Sequence, residues 1–125
     1  GNAMSAIHLV DDSATMLMSM EMLLKRAGYT VTKSESAEAA MTALESISPK
    51  LIITDLNMPG MNGIELIKTL KQQSKFRFTP MLMLTTESQQ SRREEAKAAG
   101  ATGWLVKPVE PEQLLGVVKQ LVPTA

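Results

Sequence analysis

The chain has 125 residues, which fits one domain with its own hydrophobic core, and no cysteine, which excludes disulfides and cysteine-ligated zinc. Its 13 basic and 13 acidic side chains give a net charge of zero, so it lacks the basic footprint of a protein that binds nucleic acid directly. No apolar run approaches the ~20 residues that cross a bilayer and no signal peptide is recognisable, so we expect a cytoplasmic protein without membrane contact.

The chain alternates between short apolar runs and longer stretches with helical periodicity. Residues 1–3 precede Met4 and resemble the remnant of an expression tag, so we take 4–125 as the domain. The first run, residues 7–10, predicts a strand. A helical face follows, and Gly28 is suited to the left-handed position that ends such a helix. That face consists of Met16, Met20, Leu23, Leu24 and Ala27.

A weaker strand and a second helix come next. Residues 29–34 are half polar and predict a modest second strand. Residues 37–47 predict a helix that Pro49 ends. Residues 51–55 predict the third strand, because their continuous apolar run is typical of a strand buried on both faces of a parallel sheet.

Two more strands and three more helices follow. Asn62 and Glu65 predict a capping box at the start of the third helix. Ser88 predicts the cap of a fourth helix that ends at Gly100, and Pro111 the first position of the fifth helix. Residues 81–86 and 102–106 predict the fourth and fifth strands. The positions that we expect to be buried in the last helix are Leu114, Leu115, Val118 and Leu121.

Five repeats of strand and helix predict an α/β fold. Such alternation gives a doubly wound parallel sheet with helices on both faces, joined by right-handed crossovers. In open sheets of this kind, ligands bind outside the carboxyl ends of the strands, where the strand order reverses. The functional side chains should therefore follow the ends of strands.

Ionisable and hydroxyl side chains stand at these strand ends. Each alone has an ordinary explanation as a helix cap, a turn residue, a strand residue or a solvent-facing lysine. Together they indicate a metal site, because three nearby carboxylates repel one another and one lysine offsets only one charge. Oxygen ligands without His or Cys favour Mg²⁺ over zinc. The side chains are Asp11, Asp12, Asp55, Thr85, Thr86 and Lys107.

Mg²⁺ recruits phosphate oxygens, so the predicted chemistry is phosphoryl transfer. Asp55 is the best candidate nucleophile, because it ends a central strand beside an accessible loop rich in Gly and Pro. The Lys107 ammonium, the Thr85 hydroxyl and backbone N–H groups are available to stabilise the phosphoryl oxygens. His8 lies inside the first strand, away from this cluster, and we expect it to be a packed or edge residue.

Four motifs, LVDDS, LIITDLNMPGMNGIEL, MLMLTT and GWLVKP, resemble the receiver domain of two-component response regulators, of the single-domain chemotaxis type. The resemblance covers essentially the whole chain from Met4. It implies a flavodoxin-like fold with five strands in the order 2-1-3-4-5 and five helices; a member of this family is a standard example of that order.

The resemblance also implies roles for the residues at the strand ends. Asp55 would be the phosphoacceptor. Asp12 and Asp55 would bind Mg²⁺ directly, Asp11 largely through water, and the backbone carbonyl of Asn57 would be a further ligand. Lys107 would pair with the phosphoryl group, next to a cis peptide bond with Pro108.

Further residues would transmit the signal or set its lifetime. Thr85 would shift to hydrogen-bond a phosphoryl oxygen, and Trp104 occupies the aromatic switch position, where Phe or Tyr is more usual. Thr86 is bulkier than the small residue often found after the switch threonine and would narrow access to the acyl phosphate. Asn57 and Glu87 stand at positions that tune hydrolysis of the phosphoaspartate.

The resemblance implies a signalling domain that catalyses only its own phosphorylation and dephosphorylation. The phosphoryl donor would be a sensor histidine kinase or a histidine phosphotransfer protein. A downstream protein target would bind the face formed by the fourth helix, the fifth strand and the fifth helix, with no direct contact to nucleic acid or membrane.

Three alternatives fit the sequence less well. A phosphatase of the haloacid dehalogenase kind would carry D-x-D after the first strand, where this chain has adjacent Asp11 and Asp12. A flavin-binding module would need a Ser/Thr-rich phosphate loop there, and these carboxylates would repel the phosphate. A pseudo-receiver scaffold usually lacks an acid or the lysine, whereas this chain has the complete set.

Overall fold

A computed structural model describes residues 6–124, so both ends of the predicted domain 4–125 and the predicted tag remnant at 1–3 lie outside the described residues. Within that range no helix is long and apolar enough to cross a membrane. The strands are β1 (Ala6–Val10), β2 (Thr30–Ser34), β3 (Leu51–Thr54), β4 (Met81–Thr85) and β5 (Gly103–Val106). The helices are α1 (Ala14–Arg26), α2 (Ala37–Ala43), α3 (Gly63–Lys71), α4 (Gln90–Ala99) and α5 (Pro111–Leu121).

The five strands form one parallel sheet in the order β2-β1-β3-β4-β5. This confirms the predicted flavodoxin-like fold. From β1 the chain moves outward to β2 and then crosses back to β3, so the strand order reverses between β1 and β3. The loops that follow these two strands therefore frame the crevice in which sheets of this kind bind ligands.

Two buried clusters fill the two sides of the sheet. One joins α2, α3 and α4 to the sheet and includes Leu44, Ile67 and Ala96. The other joins α1 and α5 to the opposite face and includes Leu24 and Val118. Successive side chains of each strand point to opposite faces and pack into both clusters, which is why the central strands are buried along almost their whole length.

Polar side chains fix where three helices begin. Ser13 caps α1 by accepting a hydrogen bond from the Met16 N–H, and Ser36 caps α2 in the same way. Asn62 and Glu65 form the predicted capping box at α3, each side chain accepting from the other residue's backbone N–H. These caps satisfy N–H groups that have no partner inside the helix.

The predictions of one helix end, one helix cap and two buried positions were wrong. The second helix ends at Ala43 rather than residue 47, because the following residues form turns before Pro49. Ser88 does not cap α4; Gln89 takes that position without a side-chain hydrogen bond. Leu115 and Leu121 are only partly buried, because they lie at the border of the face that α5 turns to the sheet.

Candidate functional site

The pairing of β1 with β3 brings Asp11 and Asp55 together. Val10 and Thr54 are opposite each other in the parallel register, so the residues after them leave the sheet side by side. The Asp55 N–H donates to the Val10 carbonyl at 2.9 Å, which continues the ladder one step past the strand ends. Two residues 44 positions apart in sequence thereby become neighbours at the reversal of strand order.

Asp12 completes a cluster of three carboxylates with these two residues. One oxygen from each of the three side chains lies within 4.8 Å of the others. Asp11 is buried, Asp55 is partly buried and Asp12 is exposed, so the cluster opens to solvent on one side. The oxygen-only donor set and the open side fit Mg²⁺, which keeps several waters when it binds to proteins.

Lys107 is the cation that faces this cluster. Its Nζ lies 2.7 Å from Asp11 Oδ2 and 3.2 Å from Asp55 Oδ2, and all three side chains are close to nine-tenths buried. Burial by itself lowers the pKa of Lys107, but the hydrogen bond and charge of Asp11 and the charge of Asp55 outweigh it, so the pKa is raised. Three carboxylates against one ammonium leave two formal negative charges, which one divalent cation would balance.

The backbone of β5 holds Lys107 in place. Its N–H donates to the Thr85 carbonyl at 2.8 Å, which extends the pairing of β4 with β5. The peptide bond between Lys107 and Pro108 is cis. The hydrogen bond to Thr85 places Lys107 at the carboxyl end of β4, from which its Nζ reaches Asp11 and Asp55.

Backbone contacts orient the Asp55 carboxylate. Its Oδ1 accepts a hydrogen bond from the Leu56 N–H at 2.6 Å, while Oδ2 faces Lys107. The Leu56 carbonyl in turn accepts from the Gly63 N–H at 2.9 Å. A methyl group at position 63 would overlap the Asp55 backbone carbonyl, so only glycine fits there. This role of Gly63 was not predicted, because its local signal in the sequence is no more than a glycine at the first position of α3.

Thr85 and Trp104 are connected through the backbone of Glu87. The fully buried Thr85 hydroxyl accepts a hydrogen bond from the Glu87 N–H at 3.2 Å. The Trp104 indole N–H donates to the Glu87 carbonyl at 3.1 Å, and the ring is partly buried against the cluster under α4. Asn57 and Thr86 are exposed on the loops after β3 and β4.

Residues 7–119 match the family model described as the response regulator receiver domain. The chain belongs to this family. The resemblance seen in the sequence is thus confirmed, and the protein is a CheY-like receiver domain of two-component signalling.

Curated relatives of this receiver domain include chemotaxis proteins. It is 38% identical over 108 residues to chemotaxis protein CheY1 of Helicobacter pylori, covering 85% of this chain and 87% of that protein. It is 33% identical to chemotaxis protein CheY of Pseudomonas aeruginosa, and the match covers 92% of this chain and 94% of that protein. The transcriptional regulatory protein FixJ of Bradyrhizobium diazoefficiens is 37% identical, and the match covers 93% of this chain but only 56% of FixJ.

Solved receiver structures have the same fold. Chemotaxis protein CheY4 of Vibrio cholerae superposes with a TM-score of 0.90 at 40% identity, covering 94% of this chain and 98% of that chain. The receiver domain of a signal transduction histidine kinase from Syntrophus aciditrophicus superposes with a TM-score of 0.88 at 30% identity, covering 94% and 89%. This receiver domain is thus similar both to chemotaxis proteins and to a domain of a kinase.

Proposed function

We propose that this receiver domain is a signalling switch whose phosphoacceptor is Asp55. The observation that carries the proposal is the position of its carboxylate. It lies at the reversal of strand order, 3.2 Å from the Lys107 ammonium and within the cluster of three acids. A carboxylate nucleophile needs an orienting donor and a cation to offset the incoming negative charge, and both are present here.

Mg²⁺ is the proposed cofactor. The Asp12 and Asp55 carboxylates and the Asn57 backbone carbonyl would hold it, with Asp11 acting through water. When bound, Mg²⁺ would neutralise charge between the carboxylates and a phosphate oxygen of the donor. The support is the donor set itself, three oxygen ligands with two formal negative charges left after Lys107 is counted.

The chemical step transfers a phosphoryl group from phosphohistidine to Asp55. A carboxylate oxygen forms a bond to phosphorus while the P–N bond breaks, and the imidazole leaves with the electron pair. The Lys107 ammonium and the Thr85 hydroxyl stabilise the phosphoryl oxygens. Water later attacks phosphorus, releases inorganic phosphate and restores the carboxylate.

The phosphoryl donor is proposed to be a sensor histidine kinase or a histidine phosphotransfer protein. An apolar groove of about 380 Å³ lies between α1 and the segment after β5, and Met16, Met22 and Pro108 line it. Lys107 also lines this groove, so a protein seated there would be beside Asp55. Met22 is 51% exposed, and Met22→Glu should slow transfer from a phosphohistidine protein without slowing labelling by acetyl phosphate.

The output is proposed to be a population shift. Phosphorylation would draw the Thr85 hydroxyl toward the phosphoryl group and so change the contacts of Glu87 and Trp104. The surface of α4, β5 and α5 would then bind a downstream protein target with altered affinity. A free-energy difference of a few kcal/mol between the two conformations is enough for such a switch.

Labelling with a small phosphodonor tests the nucleophile. Incubation with acetyl phosphate and Mg²⁺ should add one phosphoryl group to the wild type, and Asp55→Asn should abolish the addition, as measured by intact-protein mass spectrometry. Asp12→Asn is the matched control, because it removes a neighbouring carboxylate but leaves the nucleophile and should slow labelling rather than abolish it. Persistent labelling of Asp55→Asn would assign the nucleophile elsewhere.

A further inference from the structure

A side chain of α2 holds the loop that carries the proposed nucleophile. We call residues 55–62, between β3 and α3, the acceptor loop. Glu38, in the first turn of α2, accepts a hydrogen bond from the Met61 N–H through Oε2 at 2.8 Å. Glu38 lies in none of the four sequence motifs of the receiver family, and an acid in the first turn of a helix is ordinary.

The position of Glu38 is well determined by its own helix. Ser36 caps α2 immediately before it, which fixes the direction of the first turn. Ala37 and Ala40 are fully buried in the same cluster as Met58 of the acceptor loop. Small side chains on the buried face of α2 allow the helix to lie close to the loop, and Glu38 then reaches over its exposed side.

The loop is shaped to receive this carboxylate. Gly60 has φ +80°, a conformation that side chains rarely adopt, and a Cβ there would lie 2.6 Å from Glu38 Oε2. The Met61 N–H bond lowers the pKa of Glu38, so the accepting carboxylate is ionised at neutral pH. Geometry and charge agree that this contact favours one conformation of the loop.

The hydrogen bond from Met61 to Glu38 restrains the part of the acceptor loop that has few other hydrogen bonds. Its first residues are fixed by the backbone bonds of Asp55 and Leu56, and its last residue by the capping box of Asn62. Between them, Met58 is buried, and the Glu38 bond adds a second restraint at Met61. Asn57, whose carbonyl is a proposed Mg²⁺ ligand, lies in this middle part.

We propose that Glu38 is a positioning residue for the phosphoacceptor site, which orders the acceptor loop through the Met61 N–H and thereby supports Mg²⁺ binding and phosphorylation at Asp55. The inference rests on the proposed function for its catalytic part. The ordering of the loop itself does not depend on a metal and is measurable in its absence.

Three variants and two measurements test this role. Glu38→Ala removes the hydrogen-bond acceptor, and Glu38→Gln replaces the charged carboxylate by a neutral amide whose oxygen still accepts. Glu45→Ala removes an exposed carboxylate beyond the other end of α2. Hydrogen exchange of the Met61 amide in metal-free protein should be about two- to tenfold faster in Glu38→Ala, the range expected for one lost hydrogen bond. Mg²⁺ affinity, measured by calorimetry, should fall by a similar factor.

The controls separate positioning from general damage. Glu38→Gln should stay closer to wild type than Glu38→Ala in both measurements, and Glu45→Ala should match wild type. Unchanged Met61 exchange or unchanged Mg²⁺ affinity in Glu38→Ala overturns the inference. Changes of the same size in Glu45→Ala, in either measurement, also overturn it. A wild type that neither binds Mg²⁺ nor is labelled on Asp55 would instead overturn the proposed function, and the exchange result would still report on the loop.

Discussion

Lys107 and Asp11 form an ion pair of 2.7 Å, 0.5 Å shorter than the distance from the same ammonium to Asp55. The lysine therefore interacts most closely with a residue that is not the proposed nucleophile. A Mg²⁺ ion that Asp11 contacts through water would weaken the attraction between Asp11 and the lysine, because the carboxylate charge would be shared. Lys107 would then be available to the phosphoryl group on Asp55.

Removal of the lysine charge should destabilise the metal-free protein. Lys107→Met leaves the three carboxylates uncompensated and should reduce the free energy of unfolding by about 1–3 kcal/mol, less than for a fully buried pair because solvent reaches the cluster. Urea unfolding measures this. Lys107→Arg, which keeps the charge, should lose less, and equal losses in both variants would contradict an electrostatic cause.

Mg²⁺ should stabilise the fold by relieving repulsion within the acidic cluster. A ligand that binds only the folded state adds about 2.7 kcal/mol at 100 times its dissociation constant. Thermal unfolding with and without MgCl₂ measures the shift, with NaCl at matched ionic strength as control. Asp12→Asn should reduce the shift, and a wild type that responds equally to both salts would argue against a metal site.

Trp104 should report activation, since it is the only tryptophan in the chain. Its indole N–H donates a hydrogen bond to the Glu87 carbonyl, and the Glu87 N–H donates one to the Thr85 hydroxyl. Movement of Thr85 should therefore change the environment of the indole. Beryllofluoride with Mg²⁺ should therefore alter the fluorescence emission of the wild type. Asp55→Asn should show no change; an unaltered wild-type spectrum would assign the indole a packing role only.

His8 should make the fold less stable in acid. Its ring is fully buried, 2.6 Å from the Thr32 hydroxyl and 2.8 Å from the Ser34 hydroxyl, and burial lowers its pKa to about 4. The unfolded chain takes up the proton first, near pH 6.5, so this contribution to stability falls as the pH drops from about 6.5 to about 4. The full loss is on the order of 3 kcal/mol.

Denaturant unfolding at a series of pH values measures the effect. Carboxylates also titrate in this range, so the informative quantity is the difference between wild type and His8→Gln, which keeps hydrogen-bonding groups but does not titrate. The two stabilities should converge as the pH falls from 7 to 4.5. A constant difference would mean that His8 does not take up its proton on unfolding.

The site was largely predictable because the rule that positions it is topological. The alternation of strands and helices indicated a parallel sheet, which places the residues after all strands at one edge, and the strand order implied by the resemblance makes β1 and β3 neighbours; Asp11 and Asp55 do meet there. The same rule places Lys107, after β5, at this edge, but β3 and β4 separate β5 from β1, so the pairing of Lys107 with Asp11 was not predicted. Strand order came from the family resemblance, since periodicity alone does not distinguish the possible orders.

Other features depend on contacts that the sequence does not encode locally. Glu38 and Met61 are 23 residues apart, and neither residue type signals that they meet. Turns occupy the residues between Ala43 and Pro49, and Gln89 rather than Ser88 precedes α4, so the local signals of Pro49 and Ser88 predicted both boundaries incorrectly. The hydroxyl partners of His8 could not be foreseen without the register of β1 and β2.

The position of α5 between the donor groove and the target surface has a kinetic consequence. Pro111 and Leu114 of α5 line the groove beside α1, and α5 also belongs to the proposed target surface with α4 and β5. A donor and a target would therefore overlap at α5, although α1 and α4 lie on opposite faces of the sheet. Signal throughput would then depend on how fast the donor dissociates as well as on the lifetime of the acyl phosphate.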